Sequence, residues 1–226
     1  RVASPGNTGT AVMEDVDAAV SNLFNHPNVG PFIGRQLIQR LVTSNPSKEY
    51  VGRVTAAFNE APRGNLGRVV KAILLDTEAR DPAKTTDPGF GKLREPFLKP
   101  VNVARAFNAS APNGWFYLDA FILYHAQEPM KAPSVFNFYL PTYSPPGPLA
   151  DAGLVAPEFQ IVNASSGVMA ANYFWDHTTG GMHRWGVGQA DKNVTLNLDQ
   201  EWLLNVPAIT DVEKLVTFFQ EQGSRI

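Results

Sequence analysis

Four histidines, His26, His125, His177 and His183, are the imidazoles available for chemistry. His177 and His183 fall close together in "WDHTTGGMH", beside Asp176, and such a corner would offer metal ligation. Five intervening residues, two of them glycine, do not hold two imidazoles on one helix face as an HExxH motif does. Zinc would also need a third ligand from elsewhere. No metal is therefore expected, and His177 and His183 are the positions at which one would be sought. His26 precedes Pro27 and marks a helix end, because a residue before proline avoids the α region.

The charged candidates are Arg94, Glu95 and Glu158. In "KLREP", Arg94 and Glu95 are adjacent, and adjacent helical residues do not face each other, so each needs its own partner. Glu158, at the start of a later predicted helix, is the carboxylate expected to receive Arg94. A guanidinium forked onto a carboxylate ties two helices together, and the alternative role for Arg94 is anion binding. Nucleophile motifs are absent: "NASSGVMA" has Ser165 and Ser166 before Gly167 but lacks the first glycine of a GxSxG elbow. Neither a Walker A nor a dinucleotide fingerprint occurs, and no cofactor is identified.

The segment "KAPSVFNFYLPTYSPPGP", residues 131–148, is the other concentration of unusual chemistry. Its prolines fix φ and lower unfolded-state entropy, so a long connection can be ordered without regular hydrogen bonds. Phe136, Phe138, Tyr139 and Tyr143 each offer a large area for burial. Ser134 and Asn137 are its polar candidates, and Asn137 is expected to satisfy backbone groups that a buried loop leaves unpaired. These features describe a structural clamp first and a ligand-facing aromatic wall second.

What must position these residues follows from composition and periodicity. The chain has 226 residues, 44% hydrophobic and 18% charged, with 14 phenylalanines, enough for a substantial core. A formal net charge of −2 gives no basic field for phosphate backbones, so nucleic acid is not an expected partner. Apolar runs are too short for a transmembrane segment. Cysteine is absent, which excludes disulfides and thiolate chemistry. The ends, "RVASPGNTGT" and "EQGSRI", read as those of a processed or partial chain.

Helical spacing recurs throughout. Val16, Val20, Leu23 and Phe24 form one face; Ile33, Leu37, Ile38 and Leu41 a second, restarting near Pro31. Tyr50, Val51, Val54 and Phe58 follow Ser47, a cap, and Leu66, Val69, Val70, Ile73 and Leu74 make a fourth. "KLREPFLKPVNVARAFNAS" is a helix whose regular part starts late because of Pro96 and Pro100. "WFYLDAFILYHAQ", residues from about Pro157 to about Trp175, and "TDVEKLVTFFQEQ" are further helices, with a short strand at 194–198. The predicted class is mainly α: a bundle of about 7–9 helices with long ordered Pro/aromatic-rich loops and little or no sheet. Its parts are a flexible lead-in at 1–11, a helical subdomain at 12–80, a linker at 81–90, and a second helical subdomain at 91–226 that includes the loop at 131–157.

Four stretches in fixed order, "NHPNVGPFIGRQLIQRLV", "LGRVVKAILLDTEARD", "FGKLREPFLKPVNVARAFNA" and "MKAPSVFNFYLPTYSPPGPLADAGLVAPEFQI", carry a family resemblance. The chain resembles the C-terminal half of the bacterial family called domain of unknown function 1800, from about Asp15 to about Phe219. The resemblance implies a periplasmic or secreted protein, often encoded beside an exported family related to sulfatases and phosphatases. It implies no reaction and no cofactor. The family-typical positions here are His26, Pro27, Arg35, Arg94, Glu95, Ser134, Asn137, Tyr139 and Glu158, without assigned roles.

Two function classes remain. One is a binding or assembly module without a complete catalytic site of its own. The other is a hydrolase of an extracellular polymer or ester, its site shared with a further N-terminal half. Apolar faces on each of the first four helices and on the last imply that the remainder of its own chain, or another protein copy, covers them.

Overall fold

The computed structural model describes residues 9–112, 114, 116, 126–180 and 194–197. The protein is mainly α, with eight α-helices and two 3-10 turns among these residues and an isolated antiparallel bridge between Ser110 and Thr195. It divides into two compact units. Unit 1 is Arg1–Arg94 with Ala132–Asn163, and unit 2 is Glu95–Lys131 with Ala164–Ile226. Residues 132–163, grouped with 91–226 by the sequence reading, thus belong to the unit that holds the N-terminal helices.

Unit 1 is built on α1 (Gly9–Asn25), α2 (Val29–Leu41), α3 (Lys48–Asn59), α4 (Leu66–Leu74) and α5 (Thr77–Arg80). Side chains placed just before the helices define their starts. Ser47 Oγ accepts from Tyr50 N at 3.0 Å, and Asn65 Oδ1 accepts from Arg68 N at 3.0 Å. Each cap satisfies an amide that the helix itself leaves unpaired. The core lies between α2, α3 and α4, where Ile38, Tyr50, Val54, Phe58, Val69 and Ile73 are buried together. Buried Gly34 lets α2 approach α3 closely, since a Cβ there would stand 3.1 Å from Val54 Cγ1. Tyr50 sends its hydroxyl to the Ile73 carbonyl at 2.7 Å, satisfying a carbonyl in the last turn of α4.

Helix α1 forms where its spacing predicts, but Val16, Val20, Leu23 and Phe24 are exposed. Its C-terminal end is tied down: Phe24 meets Phe58 with ring centroids 6.1 Å apart, and Arg63 stacks against both rings. Leu41, Leu66 and Leu74 are also exposed, because the shared core is narrower than the apolar stripe of each helix.

A 3-10 turn at Pro82–Thr86 follows α5, and residues 132–163 return to this unit as an irregular strap containing a one-turn helix, Pro148–Asp151. Its backbone bonds go to side chains and to itself. Asn45 bonds both the amide and the carbonyl of Val155 at 2.9 Å, and Ala156 N donates to Tyr143 O at 2.8 Å. Leu140 N donates to Gln160 Oε1 at 2.7 Å. The predicted helix from Pro157 is a 3-10 turn, Pro157–Gln160; α-helix resumes only at Ala164. Side-chain bonds of Glu158 and Gln160 hold that turn, and β-branched Ile161 and Val162 follow it.

Unit 2 contains α6 (Leu98–Ala106) and α7 (Ala164–Gly180), and Ala104, Tyr173, Val194 and Leu196 form its buried cluster. Helix α6 starts late, as the two prolines require. Thr195 pairs with Ser110 in the bridge, on the stretch expected as a strand. Residues 115 and 117–125 of the expected helix "WFYLDAFILYHAQ", and all of "TDVEKLVTFFQEQ", together with His125 and His183, lie outside the described residues, as does the side chain of His177. Among the described residues no helix is long and apolar enough to cross a membrane.

Candidate functional site

A cavity of about 350 Å³ opens in unit 1 between α2 and the strap. Leu37, Gln39 and Arg40 line it from α2, Phe136 and Tyr139 from the strap, and Glu158 from the turn within the strap. Glu158 is buried to 1% exposure. Its Oε1 receives Lys92 Nζ at 2.8 Å and the Tyr139 hydroxyl at 3.5 Å. Lys92 also donates to the Arg40 carbonyl at 3.1 Å, at the C-terminal end of α2, where a cation meets the negative pole of the helix.

Arg40 donates from Nη1 to the Tyr139 hydroxyl, and its guanidinium carbon lies 4.5 Å from the centre of the same ring. One ring thus supports a cation by its face and by its hydroxyl. Arg40, Tyr139, Glu158 and Lys92 form a continuous chain of polar contacts joining α2, the strap and residues 91–94.

Gln39 completes the wall. Its Nε2 donates to two carbonyls, Ser44 at 3.0 Å and Pro141 at 3.1 Å. Rotating the amide by half a turn would set oxygen against both carbonyls, so the orientation is fixed by chemistry. The consequence is a buried Gln39 Oε1 with no hydrogen-bond partner, and Glu158 Oε2 is in the same state. A buried acceptor left without a donor costs about 1–3 kcal/mol, and both of these oxygens are sealed from solvent.

The candidates separate into three places. Tyr139 and Glu158 line the cavity together with Asn137. Arg94 does not pair with Glu158: Lys92 takes that carboxylate, and Arg94 is exposed without an ion pair among the described residues. The sequence reading placed "KLREP" at a helix start; the helix begins at Leu98, and the non-helical residues before it bring Lys92 instead to the buried carboxylate. Glu95 is in unit 2, where its Oε2 accepts from Gln127 Nε2 at 2.5 Å, while Gln127 Oε1 accepts from Phe97 N at 3.1 Å. That arrangement serves the start of α6.

Ser134 and Asn137 close a turn at the cavity rim. Ser134 Oγ accepts from Phe136 N at 3.1 Å, and Asn137 N donates to Ser134 O at 3.1 Å. Asn137 has φ of 70°, so its contribution is a left-handed backbone rather than the side-chain bonds expected of it. Of the strap's aromatics only Tyr139 is buried; Phe136 is 41% exposed, and its neighbour Val135 is 94% exposed. The clamp is therefore Tyr139, and the rim before it is open. Among the described residues no three metal-binding side chains come together.

Sequence reasoning missed Gln39, Arg40 and Lys92. Lys92 stood inside the quoted motif, but attention went to the Arg–Glu pair beside it. Gln39 follows Ile38 on a helix whose buried face was read as wholly apolar.

No curated protein and no solved structure is significantly similar to this chain. A family profile described as "Protein of unknown function (DUF1800)" matches residues 4–223, nearly its whole length. The chain belongs to that family.

Proposed function

We propose that this protein is a binding module whose ligand occupies the cavity between α2 and the strap. The observation that carries this reading is the cavity itself, whose wall holds Gln39, Arg40, Tyr139 and Glu158 and whose rim carries the exposed Phe136 and Val135. Fixed polar groups at one end and an exposed aromatic rim at the other match the usual make-up of a small-molecule site, and the volume falls at the lower end of such sites. A hydrolase reading would need a nucleophile or a second carboxylate working with Glu158. Its charged and phenolic neighbours, Lys92 and Tyr139, instead act as its donors. Location outside the cytoplasmic membrane is part of the proposal and rests on the family resemblance.

The test is a ligand-observed NMR screen of a broad metabolite and fragment library, repeated with Val135→Trp. Val135 is almost fully exposed at the rim, so an indole there fills the mouth without entering the core. Hits lost in the variant support the reading. An absence of hits, or hits indifferent to the indole, would end it.

A further inference from the structure

Resting on that reading, we infer that the ligand is an uncharged stretch of peptide. Its backbone is read by the side-chain amides of Gln36 and Asn137, and one of its apolar side chains lies against Leu37 and Phe136. The wall that α2 contributes is a single stripe, because Ile33, Gln36, Leu37 and Arg40 stand at i, i+3, i+4 and i+7. Charge does not select the ligand. The two charged residues of the wall both have partners: Glu158 meets Lys92 at 2.8 Å, and Arg40 is engaged by Tyr139 and by a further contact. A charged ligand would give up its hydration to meet groups that are already paired, and the desolvation would not be returned.

The polar groups still open are two amides. Gln36 on α2 and Asn137 on the strap line the cavity and are half-buried, and neither side chain makes a hydrogen bond among the described residues. The bonds of Asn137 are those of its backbone: its N–H donates to Ser134 O at 3.1 Å, and its carbonyl accepts from Ser134 Oγ at 3.4 Å. The turn thus holds the residue in place and leaves its amide free. A primary amide sets a carbonyl oxygen and an N–H donor in one plane, the complement of the N–H and C=O of a peptide unit. A purely apolar ligand would strip water from both amides and return no hydrogen bond. Leu37 and Phe136 supply the apolar surface, and Phe136 is 41% exposed and open to a side chain laid on its ring. Main-chain bonds for affinity, with a pocket for one side chain, are the usual division of labour in peptide recognition. The cavity is open at Val135, 94% exposed, so the chain on either side of the bound stretch can continue past the rim.

The experiment uses the full chain and blocked pentapeptides, N-acetylated and C-terminally amidated, in saturation-transfer NMR followed by titration. Alanine and glycine flank a central leucine, phenylalanine, lysine or glutamate. A fifth probe is the leucine peptide with esters in place of the two amides beside the central residue, which removes N–H donors and keeps the shape. The expected result is binding of the leucine and phenylalanine peptides, with the ester probe weaker by about tenfold. Asn137→Gly keeps the left-handed backbone and deletes the amide, and Gln36→Leu keeps the bulk on the helix face; each should weaken the leucine peptide by about tenfold while the urea midpoint stays near that of the native chain. Equal or tighter binding of the lysine or glutamate peptide overturns the uncharged class. Peptide binding indifferent to both substitutions and to the esters overturns the reading by amides. If no peptide binds while metabolite or fragment hits are still lost in Val135→Trp, the cavity stands as a site and the peptide inference fails; if those hits are absent as well, both readings fail.

Discussion

Lys92 Nζ stands 2.8 Å from Glu158 Oε1, with side-chain exposures of only 12% and 2%. An ion pair this well sealed owes its stability to being complete, because desolvating both groups costs several kcal/mol before their attraction returns anything. It also fixes the turn at Pro157–Gln160 against the end of α2, since the same ammonium holds the Arg40 carbonyl.

Removing one partner should therefore be worse than removing both charges. Lys92→Met leaves a carboxylate buried with the Tyr139 hydroxyl as a remaining donor, and a loss of about 3–5 kcal/mol is expected. In a Glu158→Gln background the same substitution should cost clearly less. Urea midpoints of the four proteins measure the difference, and equal costs in both backgrounds would mean that the pair is not coupled.

Asn137 separates a backbone role from a side-chain role. With φ at 70°, alanine there should cost about 1–2 kcal/mol, while glycine should be neutral or slightly stabilising. If glycine proves as harmful as alanine, the amide side chain matters, and the turn geometry is not what asparagine supplies.

How far the sequence predicted these features depended on the kind of signal. Caps and core faces were readable because they obey local rules: Ser47 precedes its helix, and Tyr50, Val54 and Phe58 recur at helical spacing and are buried. Tyr139 and Glu158 were picked out by residue type, and both line the cavity. Their partners were not, because Arg40 and Lys92 lie 99 and 66 residues away respectively, and no local period encodes a contact across that distance. Periodicity also overstated burial. Val16 and Val20 have the spacing of a core face yet are exposed, since spacing fixes which residues share a side but not what that side meets.

Acid should weaken unit 1 through Asp76. Arg53 donates to both of its oxygens at 2.7 Å, and that bond, with the Glu78 amide, holds the Asp76 carboxyl below the ordinary aspartate range. A carboxyl that is more acidic folded than unfolded stabilises fully above its unfolded value of about 3.9. That contribution is lost as pH falls through the lower folded value. Asp76→Asn should cost about 1–3 kcal/mol at pH 7 and distinctly less at the acid end of the folded range. Denaturation midpoints across pH check this, and a gap independent of pH would assign the cost to helix capping instead.

The last prediction concerns how α1 is held. Gly64 has φ of 78°, and a Cβ added there would come within 2.7 Å of Phe24 Cζ. Gly64→Ala thus meets two separate obstacles. The left-handed backbone costs about 1–2 kcal/mol whatever surrounds it. The contact with Phe24 adds a second cost, moderated because that ring is part-exposed and can turn aside. Deleting the ring removes the second obstacle and leaves the first. Gly64→Ala should therefore be less damaging in a Phe24→Ala background than in the native chain, by about 0.5–1 kcal/mol, without becoming neutral. Phe24→Ala alone forfeits the contact with Phe58 and the stacking of Arg63, so all four proteins are needed to isolate the coupling. Strict additivity would place the Phe24 ring away from Gly64, and α1 would then lack the anchor described for its C-terminal end.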